Sequence, residues 1–407
     1  MIAIVGMAVL VGLAVLFSQD RRAISLRVTV AAFALQAGLA VLVLYVPFGQ
    51  RALASAAFGA QNIINYADAG IRFLFGELGR DETGFIFAFR VLPIIVFVSS
   101  LIAVLYHIRL MQLIVIVIGG GLRRVIGSSR VESLVAAANI FIGMVESPLV
   151  VRPYLSRLSH SEMFAVMAVG LSSVSGAILA GYAAIGIDLQ YLLAAAFMAA
   201  PGGLFMAKLL VPEDPANHVA EPEKLQITAF DPDNRPVNVI EAAADGAAEG
   251  LKIAAGVGAM LLAFVALLAL VNGIVGWLGG LVGLEALTLE KILGYPLAPL
   301  MYLVGVPWQD AVTAGNLLGQ KTILNEFLAF VSLTQVSDQL TDHGRAVITF
   351  ALCGFANFSA LAIVMGGLGS LVPDRRHEIA KLGVLAVISG TLANLMSAAL
   401  ASLLLSL

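Results

Sequence analysis

Long apolar windows, separated by short polar interruptions, run from one end of this chain to the other. Met1–Phe17 and Ile24–Val46 are apolar runs joined by Gln19-Asp20-Arg21-Arg22, which predicts two membrane-crossing helices and a tight polar turn. The first lacks a basic n-region and a small-residue cleavage site, so it reads as a span rather than a signal peptide. Ala54–Glu77 places Ile63, Ile64, Ile71, Phe73 and Phe75 at helical spacing among Asn62, Asn65, Asp68 and Arg72, the pattern of an interfacial amphipathic helix. Phe85–Ile118 is too long for one bilayer thickness unless it tilts or extends beyond it.

The most informative stretch is Val131–Leu158. It has about the length of one span, yet Gly143, Glu146, Ser147 and Pro148 interrupt its middle, which predicts a re-entrant hairpin whose turn is buried in protein. Glu162–Ile187 and Tyr191–Val211 read as spans; in the first, Ser172–Gly176 (SSVSG) serves either to break the helix or to pack small residues against a neighbour. Pro212–Pro236, rich in proline and acidic residues, divides the chain into halves. Beyond it come a long apolar helix (Ala242–Val275), a segment expected to be interfacial or broken by Pro296 and Pro299 (Leu278–Gly305), and a polar span (Asp310–Phe330). A second hairpin signature (Gly344–Pro373) and a last span interrupted by Gly390 and Asn394 (Lys381–Leu405) complete the chain. Each half thus pairs a polar-interrupted segment with a span rich in small and polar residues, as in inverted-repeat transporters that bind substrate between discontinuous helices.

Composition agrees: 60% of the 407 residues are hydrophobic, 12% are charged, and the mean hydropathy is +0.97. The expected class is an all-α polytopic membrane protein. A net charge of −3 gives no support to nucleic acid as a partner, and the single cysteine, Cys353, rules out an intramolecular disulfide. Gly315–Thr322 has only three residues between its glycines and Gln320 rather than lysine after the second, so it is not a phosphate loop. Neither HExxH nor a nucleophile elbow supports an intramembrane enzyme. Glu146 and Glu326, flanked by asparagines, suit a hydroxyl-rich solute, because a carboxylate accepts from two hydroxyls at once. The bland alternative pairs Glu146 with Arg152 and Glu326 with Lys321 as structural ion pairs.

Three motifs carry a family resemblance: Gly143-Met-Val-Glu-Ser-Pro-Leu149 with Arg152-Pro-Tyr154, Gly319-Gln-Lys-Thr-Ile-Leu-Asn-Glu-Phe-Leu-Ala-Phe330, and Cys353-Gly-Phe-Ala-Asn-Phe-Ser359. Over most of its length the chain resembles the concentrative nucleoside transporters, with Leu328 where the middle motif usually has valine. The resemblance implies a homotrimer in the lipid bilayer of the bacterial inner membrane, each protomer with about eight spans, two re-entrant hairpins and interfacial helices. It implies a grouping of residues 1–118 and 242–305 as scaffold, 119–211 and 306–407 as the transport unit, and 212–241 as the polar loop between halves. It places Gly143, Met144, Val145 and Glu146 against the nucleobase and Glu326, Phe355 and Asn357 around the ribose. No catalysis is expected, and a solute channel is the alternative of another class.

The resemblance also implies a coupling ion held by Asn139, Ile142, Ser173 and Val174. Neutral oxygens suit a monovalent hard cation, so sodium is expected, with proton coupling through Glu146 as the alternative. Three departures stand out. Met144 and Val145 replace the family's usual Gln and Thr at the first hairpin, which removes two hydrogen-bonding side chains and favours apolar contact with a purine. Ala360 replaces a serine that often bonds the ribose.

Overall fold

The computed structural model of the chain describes residues 2–79, 86–213, 236–281, 283 and 287–407, and every regular element among them is helical. A backbone in hydrocarbon has no water to bond, so each apolar window closes its own N–H and C=O groups into a helix. The chain enters with α1 (Ile2–Leu16) and α2 (Leu26–Leu44), then two amphipathic helices, α3 (Pro47–Asn65) and α4 (Ala67–Phe75). Next come α5 (Phe87–Arg90), α6 (Leu92–His107) and α7 (Leu110–Ile126). The single long element expected up to Ile118 is therefore divided. Arg109 adopts a left-handed backbone (φ 66°), which ends α6 and sends α7 in a new direction.

Two matched series follow from α6. In the first, α7 leads to α8 (Arg130–Ala138) and a 3-10 segment (Ser147–Arg157) packed side by side, then α9 (His160–Ser172) and α10 (Gly176–Ala184) in one broken span, then α11 (Leu189–Leu210). The Ser172–Gly176 run does break its helix. Capping boxes at Ser129/Glu132 and Ser159/Glu162 start α8 and α9. The second series begins with α12 (Val239–Leu281) and α13 (Leu289–Val304) and continues with α14 (Trp308–Ile323), α15 (Glu326–Val336), α16 (Asp342–Leu352), α17 (Phe358–Leu371) and α18 (Arg376–Leu405).

Here the sequence-based order needs correcting. The pair that folds back is α14 with α15, whose arms are linked by Ser332 Oγ donating to Gln320 Oε1 at 2.8 Å. By contrast, α16 and α17 pack chiefly on α18 and form the second broken span. Both segments carry the same signature, an apolar run with asparagine at its break. Whether the chain turns back there or continues is decided by packing, which hydropathy does not encode. Two further breaks do not occur: α13 runs on through Pro296 and Pro299, and α18 is continuous past Gly390 and Asn394. The polar loop falls on residues 214–235, outside the described residues.

Six helices or helix pairs among the described residues are long and apolar enough to cross a membrane. Shorter apolar helices accompany them at Ile2–Leu16, Lys291–Val304 and Phe358–Leu371. Within residues 1–118, α1 and α2 lie against α11 and α18, whereas α6 packs along α12. That last contact is close because Gly250 faces α6, where an added Cβ would stand 2.7 Å from Ser99 Cβ and 2.8 Å from Val96 Cα.

A buried charge cluster ties α8 to α11. Lys208 bridges Glu132, reaches Glu213 at 3.0 Å and donates to Ser161 Oγ at 2.9 Å, and both Lys208 and Glu132 are buried. Removing one partner of a buried pair strands the other. Lys208→Met is expected to cost about 3 kcal/mol, read as a lowered unfolding midpoint of the purified protein. An unchanged midpoint would show that the cluster contributes nothing to stability.

Candidate functional site

Three half-helices begin at one place. Ser175, Asn325 and Asn357 are the N-cap residues of α10, α15 and α17. The two asparagines fix their helices by accepting backbone N–H bonds, Asn325 Oδ1 from Leu328 at 2.8 Å and Asn357 Oδ1 from Ala360 at 2.7 Å. Between them they hold Glu326, the first residue of α15. Its two carboxylate oxygens accept from Tyr182 Oη at 2.9 Å and from Asn357 Nδ2 at 2.7 Å. Tyr182 is fully buried, its ring packed on Phe327 and Phe330 at centroid distances of 5.1 and 4.4 Å. Glu326 is therefore aimed by a rigid aromatic wall on one side and a helix cap on the other.

These groups border a cavity of about 390 Å³, in the range of small-molecule sites. Its lining includes every substrate-contact residue named from the sequence: Gly143, Met144, Val145, Glu146, Glu326, Phe355 and Asn357. Ala360 also lines it. The opposite wall is one face of α12, formed by Ile253, Gly256, Val257, Met260 and Leu261, with the Glu249–Lys252 pair (2.9 Å) at its end. The cavity combines the Glu146 and Glu326 carboxylates and the Asn325 and Asn357 amides with an apolar surface, as a molecule with hydroxyls at one end and a flat ring at the other requires.

The first hairpin tip is seated on glycines. A Cβ on Gly170 of α9 would lie 3.1 Å from Met144 Cβ, and one on Gly367 of α17 would lie 2.7 Å from Val145 Cγ1. Neither of the ion pairs weighed from the sequence forms. Glu146 turns back over Gly143 and lines the cavity, while Arg152 is exposed. Lys321 is wholly buried and donates instead to the Ala351 carbonyl at 2.8 Å and Asn394 Oδ1 at 2.7 Å.

Next to the tip, Gly176 N donates to Phe141 O at 3.0 Å, bringing the stretch with Asn139 and Ile142 against the one with Ser173 and Val174. Asn139 is completely buried, and among the described residues neither its Oδ1 nor its Nδ2 has a hydrogen-bond partner. Ser173 Oγ donates to the Val169 carbonyl at 3.1 Å, which leaves its own lone pairs available. An orphaned buried amide beside a serine and free-ended backbone is a set of neutral oxygens that fits a small monovalent cation. Among the described residues, no group of three or more His, Cys, Asp or Glu could hold a metal ion.

Three contributors were not identified from the sequence. Tyr182 lies in an ordinary apolar run. The α12 face looks like any other lipid-compatible stripe. Asn394 does not interrupt its helix; its Nδ2 donates to the Ser172 carbonyl at 2.7 Å and the Cys353 carbonyl at 3.0 Å, one at each broken span.

Comparison with known proteins matches this geometry to one family. Models described as "Na+ dependent nucleoside transporter N-terminus", "Nucleoside recognition" and "Na+ dependent nucleoside transporter C-terminus" cover residues 5–78, 88–188 and 191–402. The nucleoside permease NupC of Helicobacter pylori is 48% identical, with 100% of this chain and 98% of that protein covered. Sodium/nucleoside cotransporter 1 of Mus musculus is 36% identical over 99% of this chain and 64% of its own length. Among solved structures, CNTnw in an inward-facing substrate-bound state has a TM-score of 0.94 at 49% identity, covering 99% of this chain and 98% of that one. With the three family models spanning its length, this chain belongs to the concentrative nucleoside transporter family and is a multi-pass membrane transporter, not an enzyme.

Proposed function

We infer that this protein is a sodium-coupled symporter that imports nucleosides, purines in preference to pyrimidines, across the bacterial inner membrane, and that it works as a homotrimer. The observation that carries the coupling is Asn139, whose fully buried side-chain amide lacks a hydrogen-bond partner among the described residues. A buried polar group without a partner is costly, and a sodium ion that travels with the substrate would supply one. The ion would draw on Asn139 Oδ1, Ser173 Oγ and the backbone of Ile142 and Val174. Because this stretch bonds directly to the start of α10 next to the first hairpin tip, ion binding would order the tip that meets the nucleobase.

For the nucleoside, Glu326 and Asn357 would take the ribose hydroxyls, with Phe355 against the sugar, while Met144, Val145 and Glu146 meet the base. Each oxygen of Glu326 already accepts one bond and keeps further lone-pair capacity for a hydroxyl. Ala360 offers no hydroxyl, so the sugar contact rests on these two groups. Met144 and Val145 present an apolar surface where a pyrimidine edge would need donors and acceptors, and the flexible thioether adapts to the larger ring. The α6–α12 pair would be the surface past which the loaded site moves.

In proteoliposomes, adenosine, inosine or guanosine should compete with labelled uptake better than uridine or cytidine; a clear uridine preference would overturn the purine reading. Replacing Met144 by Gln together with Val145 by Thr should shift the competition ratio toward pyrimidines by about tenfold, the worth of one or two hydrogen bonds. For Asn139→Ala, uptake should lose its dependence on an inward sodium gradient and fall by roughly tenfold or more. If wild-type uptake instead ignored sodium and followed a proton gradient, Glu146 would become the coupling group. Glu326→Gln is expected to weaken nucleoside binding by at least about tenfold, since hydrogen bonds to a charged group are worth roughly 1.5–3 kcal/mol. Wild-type binding in that variant would remove Glu326 from the site.

A further inference from the structure

The two matched series place a cation-binding feature at comparable points, but they fill it differently. In the first series, the C-cap of the first hairpin arm is Asn139, buried and unpartnered among the described residues, in the stretch that the Gly176 N to Phe141 O bond holds against the break following α9 at Ser173. In the second series the first hairpin arm is α14 and the break follows α16 at Cys353. There the corresponding space holds a lysine. Lys321, in the last turn of α14, extends its amine into the C-terminal end of α16, donating to the Ala351 carbonyl at 2.8 Å and to Asn394 Oδ1 at 2.7 Å.

The chemistry at this point is that of a cation site. Carbonyls at a helix C-terminus carry the negative end of the helix dipole. The orientation of the Asn394 amide is fixed, because its nitrogen already donates to the Ser172 and Cys353 carbonyls, so only its oxygen can face Lys321. Nothing offered to the lysine nitrogen is a donor. Its side chain is fully buried and makes no bridge to Glu326. A Cβ at position 354 would collide with Asn394 Oδ1, so the glycine in that break keeps room for the amide to serve both groups.

We propose that the Lys321 ammonium is a covalently tethered cation, occupying in the second repeat the position that a free ion takes in the first. It holds the broken α16–α17 span, and with it Asn357, in the binding geometry without recruiting a second ion. One mobile cation per nucleoside follows. That stoichiometric consequence rests on the sodium reading of Asn139, whereas the tethered cation itself does not.

The test uses purified full-length protein and measures nucleoside binding against sodium concentration, with choline as the balancing cation and with or without ethylammonium. Wild type should show a Hill slope of about 1 for sodium. Lys321→Ala should bind nucleoside more than about tenfold more weakly at low sodium, and recover either with ethylammonium or with high sodium at a slope near 2. Lys321→Met fills the space without charge and should stay weak under every condition while remaining a folded protein. The proposal is overturned if Lys321→Met binds with wild-type sodium dependence, or if neither ethylammonium nor sodium restores Lys321→Ala. Should Lys321→Ala fail to fold, ethylammonium present during purification must restore it, and failure there counts equally against the proposal. Wild-type binding that ignores sodium would remove the ion from Asn139 yet leave the ethylammonium rescue to decide the role of Lys321.

Discussion

A helix interrupted inside a membrane leaves carbonyls that neither water nor the next turn can satisfy, and the side chain of Asn394 answers that need at both interruptions at once. From the middle of an unbroken helix, α18, it donates to the Ser172 and Cys353 carbonyls. Phe355 N donates to Ser173 O at 3.1 Å, so the two breaks also satisfy each other. Unsatisfied groups at this depth cost several kcal/mol each, and crossing them in this way turns two local defects into one rigid centre. The caps at Ser175, Asn325 and Asn357 can converge because that centre does not yield.

How much of this is legible in the sequence depends on what each residue type can reveal alone. Gly143–Pro148 announces a buried turn, since glycine, a carboxylate and proline together would break and charge any helix that tried to run straight through hydrocarbon. The seven residues expected from the motifs to meet a substrate line one cavity because those motifs mark the tips and breaks of the two repeats. The location of the second hairpin was not legible. Asn325-Glu326 and Gly354–Asn357 carry equivalent signals, and the difference between turning back and running on lies in contacts such as Ser332 to Gln320. The division at Arg109 was hidden for a related reason. A left-handed residue is a backbone event, and arginine gives no warning of it as glycine would.

Tyr182 and Lys321 illustrate a different limit. Tyr182 sits in an ordinary apolar run and Lys321 inside the middle motif, yet each acquires its role from a partner far along the chain: Tyr182 from Glu326, and Lys321 from Ala351 and Asn394. The apolar wall formed by α12 is the opposite case. Its residues are individually ordinary, but their regular spacing on one continuous helix of 43 residues gives the cavity a side that is smooth and nearly free of hydrogen bonds to the site. Ser359 Oγ to Met260 Sδ, at 3.5 Å, is a weak exception.

The pairing of Glu326 has a consequence for the half of a transport cycle in which nothing is carried. A bare carboxylate would be expensive to move through a low-dielectric environment. Here Tyr182 and Asn357, both side chains of the protein itself, each fill one oxygen. The empty carrier keeps part of the solvation that departing hydroxyls would otherwise take away, so the barrier to resetting need not include stripping this anion. The same two partners that fix the direction of this acceptor thus also serve as its built-in solvent.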